Sequence, residues 1–151
     1  MINNIILASK SGVRKKILNQ NGINCEVMPA NVDEEIITES LLKEKATPEI
    51  ISKNLAELKA NKISKKKQDI FVLGADSVID LKGKLISKPK NREEALAILK
   101  KLNGQKHQLI SSVCISRNGA MIWNYTDAAT LTMKQLNLDE IKSYLTKIRD
   151  K

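Results

Sequence analysis

Asn118-Gly119 sits between two strand-like runs, "HQLISSVCIS" and "AMIWNYTDAATLTM", and this dipeptide constrains the fold more than any other feature of the sequence. Asn and Gly accept positive φ most readily, so together they favour the tight turn whose twist matches two antiparallel strands. The second half of the chain therefore needs an antiparallel ribbon. The first half asks for something else. "NIILAS" reads as a short apolar strand, followed by a helix over "SGVRKKILNQNG" with Ser11 as its cap and Gly22 near its end. A strand from about Ile23 to Met28 comes next. Strand, helix and strand joined to a hairpin predict a mixed twisted sheet flanked by helices, an α/β arrangement in one domain over residues 1–151.

Three further helices carry their own punctuation. Thr47 caps a long one with Pro48 in its first position, and Ile51, Leu55 and Leu58 recur at helical spacing. "NREEALAILKKLNG" has Asn91 as cap, Glu93 and Glu94 in the first turn and Gly104 just past the end. Asn137 caps "LDEIKSYLTKIRDK". Between the first two of these, a central strand is expected from about Asp69 to Asp80, with "LKGK" turning into "KLISK".

Composition limits the partners. The formal net charge is +9, but all 26 basic residues except Arg14, Arg92, Arg117 and Arg149 are Lys, and they are dispersed. Dispersed Lys raises solubility without defining a polyanion site, and Lys65-Lys66-Lys67 reads as a solvated loop. Phe71, Trp123, Tyr125 and Tyr144 are the whole aromatic content. They are too few and too scattered for a base-stacking platform, which argues against a specific nucleic-acid partner. Cys25 and Cys114 are far apart and the chain has a single His, His107, so neither a zinc site nor a disulfide framework is indicated. "IILA" is cut by Lys10 after too few residues for a membrane span. A reduced, cytoplasmic, membrane-free protein is the expectation. His107 reads as a half-buried strand residue and Trp123 as a core or rim residue.

Three segments carry chemistry. In "LASKSGVR" a helix begins with Arg14, Lys15 and Lys16 where its partial positive charge favours acids. A phosphate held by free N–H groups, the Ser9 and Ser11 hydroxyls and Arg14 would resolve the conflict. So would three solvated basic side chains. "ANVDEEI" clusters Asp33, Glu34 and Glu35, either as a surface turn or as half of a site for a hard cation. "FVLGADSVID" places Asp76 where an apolar run stops, and an ionised carboxylate there needs a cation or hydrogen bonds in place of water. A turn or helix cap is the alternative role. Lys88 precedes Pro89, which biases it toward an extended conformation able to reach into a cleft.

In order and spacing, "LASKSGVRKKIL", "NVDE", "LAELKA", "LGADSVI", "SKP" and "LNGQKHQLISSV" resemble the Maf family of nucleoside-triphosphate pyrophosphatases over nearly the whole chain. The resemblance implies an ITPase-like (Maf/Ham1) fold with a central cleft. It also implies hydrolysis of a nucleoside triphosphate to monophosphate and pyrophosphate with Mg²⁺ or Mn²⁺. By position it implies that Ser9, Arg14, Glu34, Lys59 and Lys88 bind substrate, that Asp76 is catalytic, and that Glu34 and Asp76 hold the metal. Asp76 would serve as general base or as metal ligand. A link to septum formation belongs to the family pattern, and a homodimer is compatible with it. Three departures bear on substrate and activity. Val13 stands where the family commonly has a basic residue, and Ser77 where it commonly has Thr, so pyrimidine triphosphates and 7-methyl-GTP both stay open as substrates. Family members usually continue past "DEIKSYL" with a "DKAGxYxIQG"-like segment; against that pattern the chain is C-terminally short, and a nucleotide-binding regulator without turnover is the alternative function.

Overall fold

The computed structural model of the chain describes residues 5–148. Asn4 and Arg149 to Lys151, placed by sequence in the first strand and the last helix, lie outside the described residues. The strands are β1 (Ile5–Leu7), β2 (Cys25–Val27), β3 (Phe71–Leu81), β4 (Lys84–Ile86), β5 (Lys106–Arg117) and β6 (Ala120–Thr132). The helices are α1 (Gly12–Gln20), α2 (Glu34–Lys43), α3 (Pro48–Ser64), α4 (Arg92–Leu102) and α5 (Leu138–Ile148). All six strands join one sheet in the order β2-β1-β3-β5-β6, with β4 also on β3.

The sheet is mixed, as the sequence required. β1 pairs parallel with β2 and β3, whereas β5 runs antiparallel to both β3 and β6. Asn118 and Gly119 have φ of 53° and 84°, the positive values that a two-residue hairpin turn demands. Caps form where the side chains predict them. Ser11 accepts from the Arg14 N–H, Thr47 from Ile50 and Asn91 from Glu94. Asn137 and Glu140 cap each other's N–H groups reciprocally.

β3 organises the molecule. β5 lies along one of its edges from Val72 to Asp80. The other edge is shared by two short strands: β1 pairs only with Phe71–Leu73, and β4 only with Ile79–Leu81. Among the described residues, no strand pairs with that edge from Gly74 to Val78. Asp76 falls in this gap, in the middle of β3 and opposite Ser112 of β5. It is therefore neither a cap nor the end of a strand, although it lies just beyond the point where β1 stops.

Helix α3 covers one face of the sheet, and Gly74 sets how closely. A Cβ built on Gly74 would lie 2.2 Å from the Ala56 carbonyl oxygen and 2.9 Å from the Ala60 Cβ. Such an approach admits only small residues, so the helix turns a stripe of Ser52, Ala56, Lys59, Ala60 and Ile63 to the sheet beside Ile51 and Leu55. Leu58, expected on the buried face from its spacing, is 41% exposed instead. The larger side chain was displaced from a contact that has no room for it. Ala56, Ala60 and Ile63 pack with Ile6, Ala8, Val72 and Cys114 as one apolar cluster.

Three buried hydroxyls, Ser52, Ser112 and Ser116, stitch this contact. Ser52 Oγ bonds the Asp76 carbonyl at 3.2 Å and Ser112 Oγ at 2.8 Å, and Ser112 in turn meets Thr126 of β6 at 2.9 Å. Ser116 donates to Asn61 of α3. His107 is more deeply buried than expected, at 6% exposure, while Trp123 is half exposed and stacks on Tyr125 across 6.3 Å. The two rings sit two residues apart on β6, and strand periodicity puts them on one face.

Both cysteines are free thiols. Burial pushes the Cys114 thiol up to about 11, which leaves roughly one thiolate in a thousand at pH 8. A disulfide reagent at that pH should therefore titrate the half-buried Cys25 in the native protein and reach Cys114 only after denaturation. Two fast-reacting thiols in the native state would refute this. Among the described residues no helix is long and apolar enough to cross a membrane.

Candidate active site

The gap beside β3 opens onto a cavity of about 830 Å³ lined by Ser9, Arg14, Glu34, Lys59 and Lys88 among others. Each arrives on a different element. Ser9 and Arg14 come from the β1-to-α1 connection and the first turn of α1. Glu34 opens α2, Lys59 lies on the buried face of α3, and Lys88 follows β4. Asp76 enters from β3 through its ion pair with Lys59. The structure thus brings all six candidate residues into one neighbourhood.

Arg14 departs from its basic neighbours. Lys15 and Lys16 are exposed, but the Arg14 guanidinium turns inward toward the gap. It donates to Ser9 Oγ at 3.0 Å, to the Ala75 carbonyl at 3.3 Å and to Ser77 Oγ at 3.5 Å. Ser9 also accepts the Ser11 N–H at 3.2 Å, so its hydroxyl oxygen fixes both the loop and the guanidinium. The first turn of α1 contains no acidic residue, which leaves its positive end uncompensated by side chains.

The acidic cluster divides into three tasks. Asp33 caps α2 by accepting the Ile36 N–H, and Glu35 pairs with Lys90 on the surface at 2.8 Å. Asp33 and Glu34 both line the cavity, and it is Glu34 that pairs there, its Oε1 2.5 Å from Lys59 Nζ. Helix α2 itself was not anticipated. Its signal was present, since Asp33 followed by two acids and "IITESLLK" is a helix start. The connection before it is held by Lys62, which donates to the Asn31 carbonyl.

Lys59 joins the two carboxylates. Its ammonium bonds Asp76 Oδ1 at 3.1 Å and the Ala75 carbonyl at 3.4 Å as well as Glu34. The carboxylates respond in opposite directions. Burial pushes Glu34 up, but hydrogen bonding and charge from Lys59, with Lys88 and Arg14 behind it, outweigh that and hold it below its ordinary value. Asp76 is only 3% exposed. Burial raises it above the usual carboxylate range, the Lys59 ammonium offsets part of the rise, and the Glu34 charge adds to it. Two carboxylates separated in this way suit different chemical roles.

Asp76 Oδ2 is buried and has no hydrogen-bond partner among the described residues. A buried carboxylate oxygen without a partner is costly, and a proton or a cation would relieve it. Lys10 also lines the cavity and escaped the sequence reading; its place between Ser9 and Ser11 was the available signal. A second cavity of about 310 Å³, lined by Ser64, Lys65, Gln68, Asp69 and Asn118, lies near the hairpin turn and holds none of the candidate residues.

Comparison with known proteins identifies the family and the fold. A nucleoside triphosphate pyrophosphatase of Pelagibacter ubique is 70% identical over 151 residues, which is all of this chain and 77% of the relative. A 7-methyl-GTP pyrophosphatase of Brucella abortus is 34% identical over 146 residues, covering 97% of this chain and 73% of its own. The solved structure of the Staphylococcus aureus Ham1 protein superimposes with a TM-score of 0.53 at 15% identity, over 86% of this chain and 70% of that one, and so shares the fold. The family model for Maf-like proteins matches residues 4–151, and the chain belongs to the Maf family.

Proposed function

We propose that the chain is a nucleoside-triphosphate pyrophosphatase, which cleaves between the α- and β-phosphates to release a nucleoside monophosphate and pyrophosphate. One observation carries the reading: Arg14, Lys59 and Lys88 line a single cavity at an open strand edge, and Lys59 joins it to a buried carboxylate, Asp76, whose pKa is raised. Three cations suit a triphosphate, and they offset negative charge that grows on the leaving pyrophosphate. Ser9 would orient Arg14 toward the phosphate oxygens, and its own hydroxyl can donate to them.

In this reading Asp76 Oδ2 takes the proton of the attacking water while the water oxygen bonds to the α-phosphorus and the bridging oxygen leaves with pyrophosphate. The raised pKa makes Asp76 a stronger base than an ordinary carboxylate. Lys59 would hold Oδ1 and fix the orientation of the carboxyl. Asp76 and Glu34 also fit a divalent cation, because the unpartnered Oδ2 is a ligand in waiting. Among the described residues no cluster of three or more metal-ligating side chains exists, so the fit is to a hard cation such as Mg²⁺ or Mn²⁺ that completes its shell with water and phosphate. When bound, such a cation would supply positive charge to the phosphate oxygens and acidify a bound water. The names of the relatives support a nucleotide substrate; one specifies 7-methyl-GTP and the other no base. Two free thiols support a reducing compartment such as the cytoplasm.

The test is a panel of nucleoside triphosphates, 7-methyl-GTP included, incubated with Mg²⁺ or Mn²⁺ and assayed for pyrophosphate. Pyrophosphate with the matching monophosphate is the expected result. Orthophosphate alone would indicate another hydrolase, and tight binding without turnover a regulator.

The phosphate assignments make a separate prediction. Arg14→Ala and Lys88→Ala should each weaken binding of a triphosphate by about 1.5–3 kcal/mol, the worth of a charge-assisted contact. Binding of the corresponding monophosphate should change less. Calorimetry on both ligands measures the difference, and equal losses would remove these side chains from the phosphate tail.

A further inference from the structure

Among the described residues, Lys59 is the cation that touches both cavity carboxylates. An ammonium has three N–H donors and no acceptor. Here three acceptors surround it: Glu34 Oε1, Asp76 Oδ1 and the Ala75 carbonyl, at 2.5, 3.1 and 3.4 Å. Every donor is therefore engaged within the protein, and Lys59 can meet a phosphate only by releasing one of these partners. Glu34 is the partner free to be released. Its side chain is 37% exposed, whereas Asp76 is held at 3% beneath α3.

Charge accounting points the same way. Lys10, Arg14, Lys59 and Lys88 face Asp33, Glu34 and Asp76 around the cavity, an excess of one positive charge. A divalent cation arriving alone would add to that excess, and to take both Glu34 and Asp76 as ligands it would have to enter the space between them, where the Lys59 ammonium already stands. A nucleoside triphosphate brings more negative charge than the metal brings positive, so the pair arriving together reverses the imbalance.

We propose that Lys59 keeps the metal's place. In the unliganded protein its ammonium fills the space between Glu34 and Asp76 and excludes a divalent cation. The cation enters with the triphosphate, as the phosphate chain draws Lys59 from Glu34 and frees that carboxylate for the metal. This rests on the assignment of Glu34 and Asp76 as a cation site under the proposed function. Lys59 thereby couples the two ligands, and the coupling is reciprocal. Metal that does not accompany a triphosphate is turned away.

The experiment is Mn²⁺ binding, followed by electron paramagnetic resonance or calorimetry without turnover, on the wild-type chain and on Lys59→Met. Each is measured alone and with a non-hydrolysable α,β-methylene triphosphate, after correction for Mn²⁺ bound by the free analogue. The wild type should bind Mn²⁺ at least tenfold more tightly with the analogue than alone. Lys59→Met should bind Mn²⁺ without nucleotide at least tenfold more tightly than the wild type, and adding Glu34→Gln should cancel the gain. Lys59→Gln, uncharged yet polar, repeats the test should the Met variant fail to fold. Equal nucleotide-free affinity in wild type and variant would overturn the placeholder role while leaving the cation site intact. Absence of Mn²⁺ binding in every form, with or without analogue, would remove the cation site and this inference with it.

Discussion

Asp76→Asn should lower turnover of a nucleoside triphosphate by at least about 10²-fold, the usual loss on removing a general base, and leave the melting temperature nearly unchanged. The two halves of this expectation come from the same burial. Burial holds the Asp76 carboxyl above its ordinary pKa, so the folded state disfavours the charge, and a neutral side chain of the same shape relieves that cost. Against this stands the lost ion pair with Lys59, which retains Glu34 as a partner. The two effects oppose and leave stability close to its starting value. Pyrophosphate release and a thermal melt on the same sample check both halves. A variant that melts much earlier and keeps its specific activity would make Asp76 a structural residue.

Gly74→Val should produce the largest loss of stability of any single substitution considered, about 3 kcal/mol, the upper part of the range for overpacking. The first added carbon meets backbone, not a flexible side chain: 2.2 Å to the Ala56 carbonyl oxygen. Relief requires moving α3 away from β3. That movement would also part Lys59, carried by α3, from Asp76, carried by β3. Activity should therefore fall with stability in this variant, whereas in Asp76→Asn it falls alone. A denaturant midpoint equal to that of the wild type would show that the helix-to-sheet contact has slack the geometry does not reveal.

Local signals in the sequence carried much of the fold because they act over three or four residues. Ser11, Thr47, Asn91 and Asn137 each cap the helix they precede, and Asn118-Gly119 turns the hairpin. Orientation was less legible. Helical spacing makes Ile51, Leu55 and Leu58 equivalent, and the choice of the Ala56-Ala60 side over Leu58 is made by Gly74, on another element. The extent of β3 was legible, since the expected Asp69 to Asp80 and the observed Phe71–Leu81 nearly coincide, but the role of Asp76 within it was not. A carboxylate looks like the end of an apolar run until Lys59, seventeen positions earlier, is seen to face it. The candidate site is assembled from still more distant pieces, with Arg14 bonding a carbonyl sixty-one positions away. No periodicity records such a contact, and the six residues were named through family resemblance where spacing alone left each ambiguous. Helix α2 was lost to the opposite error: its acids looked like surface, and their division among cap, cavity and surface pair depends on neighbours the local sequence does not contain.

The gap between β1 and β4 carries a hazard as well as a site. A strand edge with free carbonyls and N–H groups is a template on which another chain can add a strand, and proteins shield such edges with short flanking strands and charged side chains, Lys above all. Here β1 and β4 bracket the open segment, and Arg14 and Lys59 both donate to the Ala75 carbonyl within it. The cations assigned to phosphate therefore also stand guard against aggregation. Selection for catalysis and selection for staying monodisperse would act on the same two side chains.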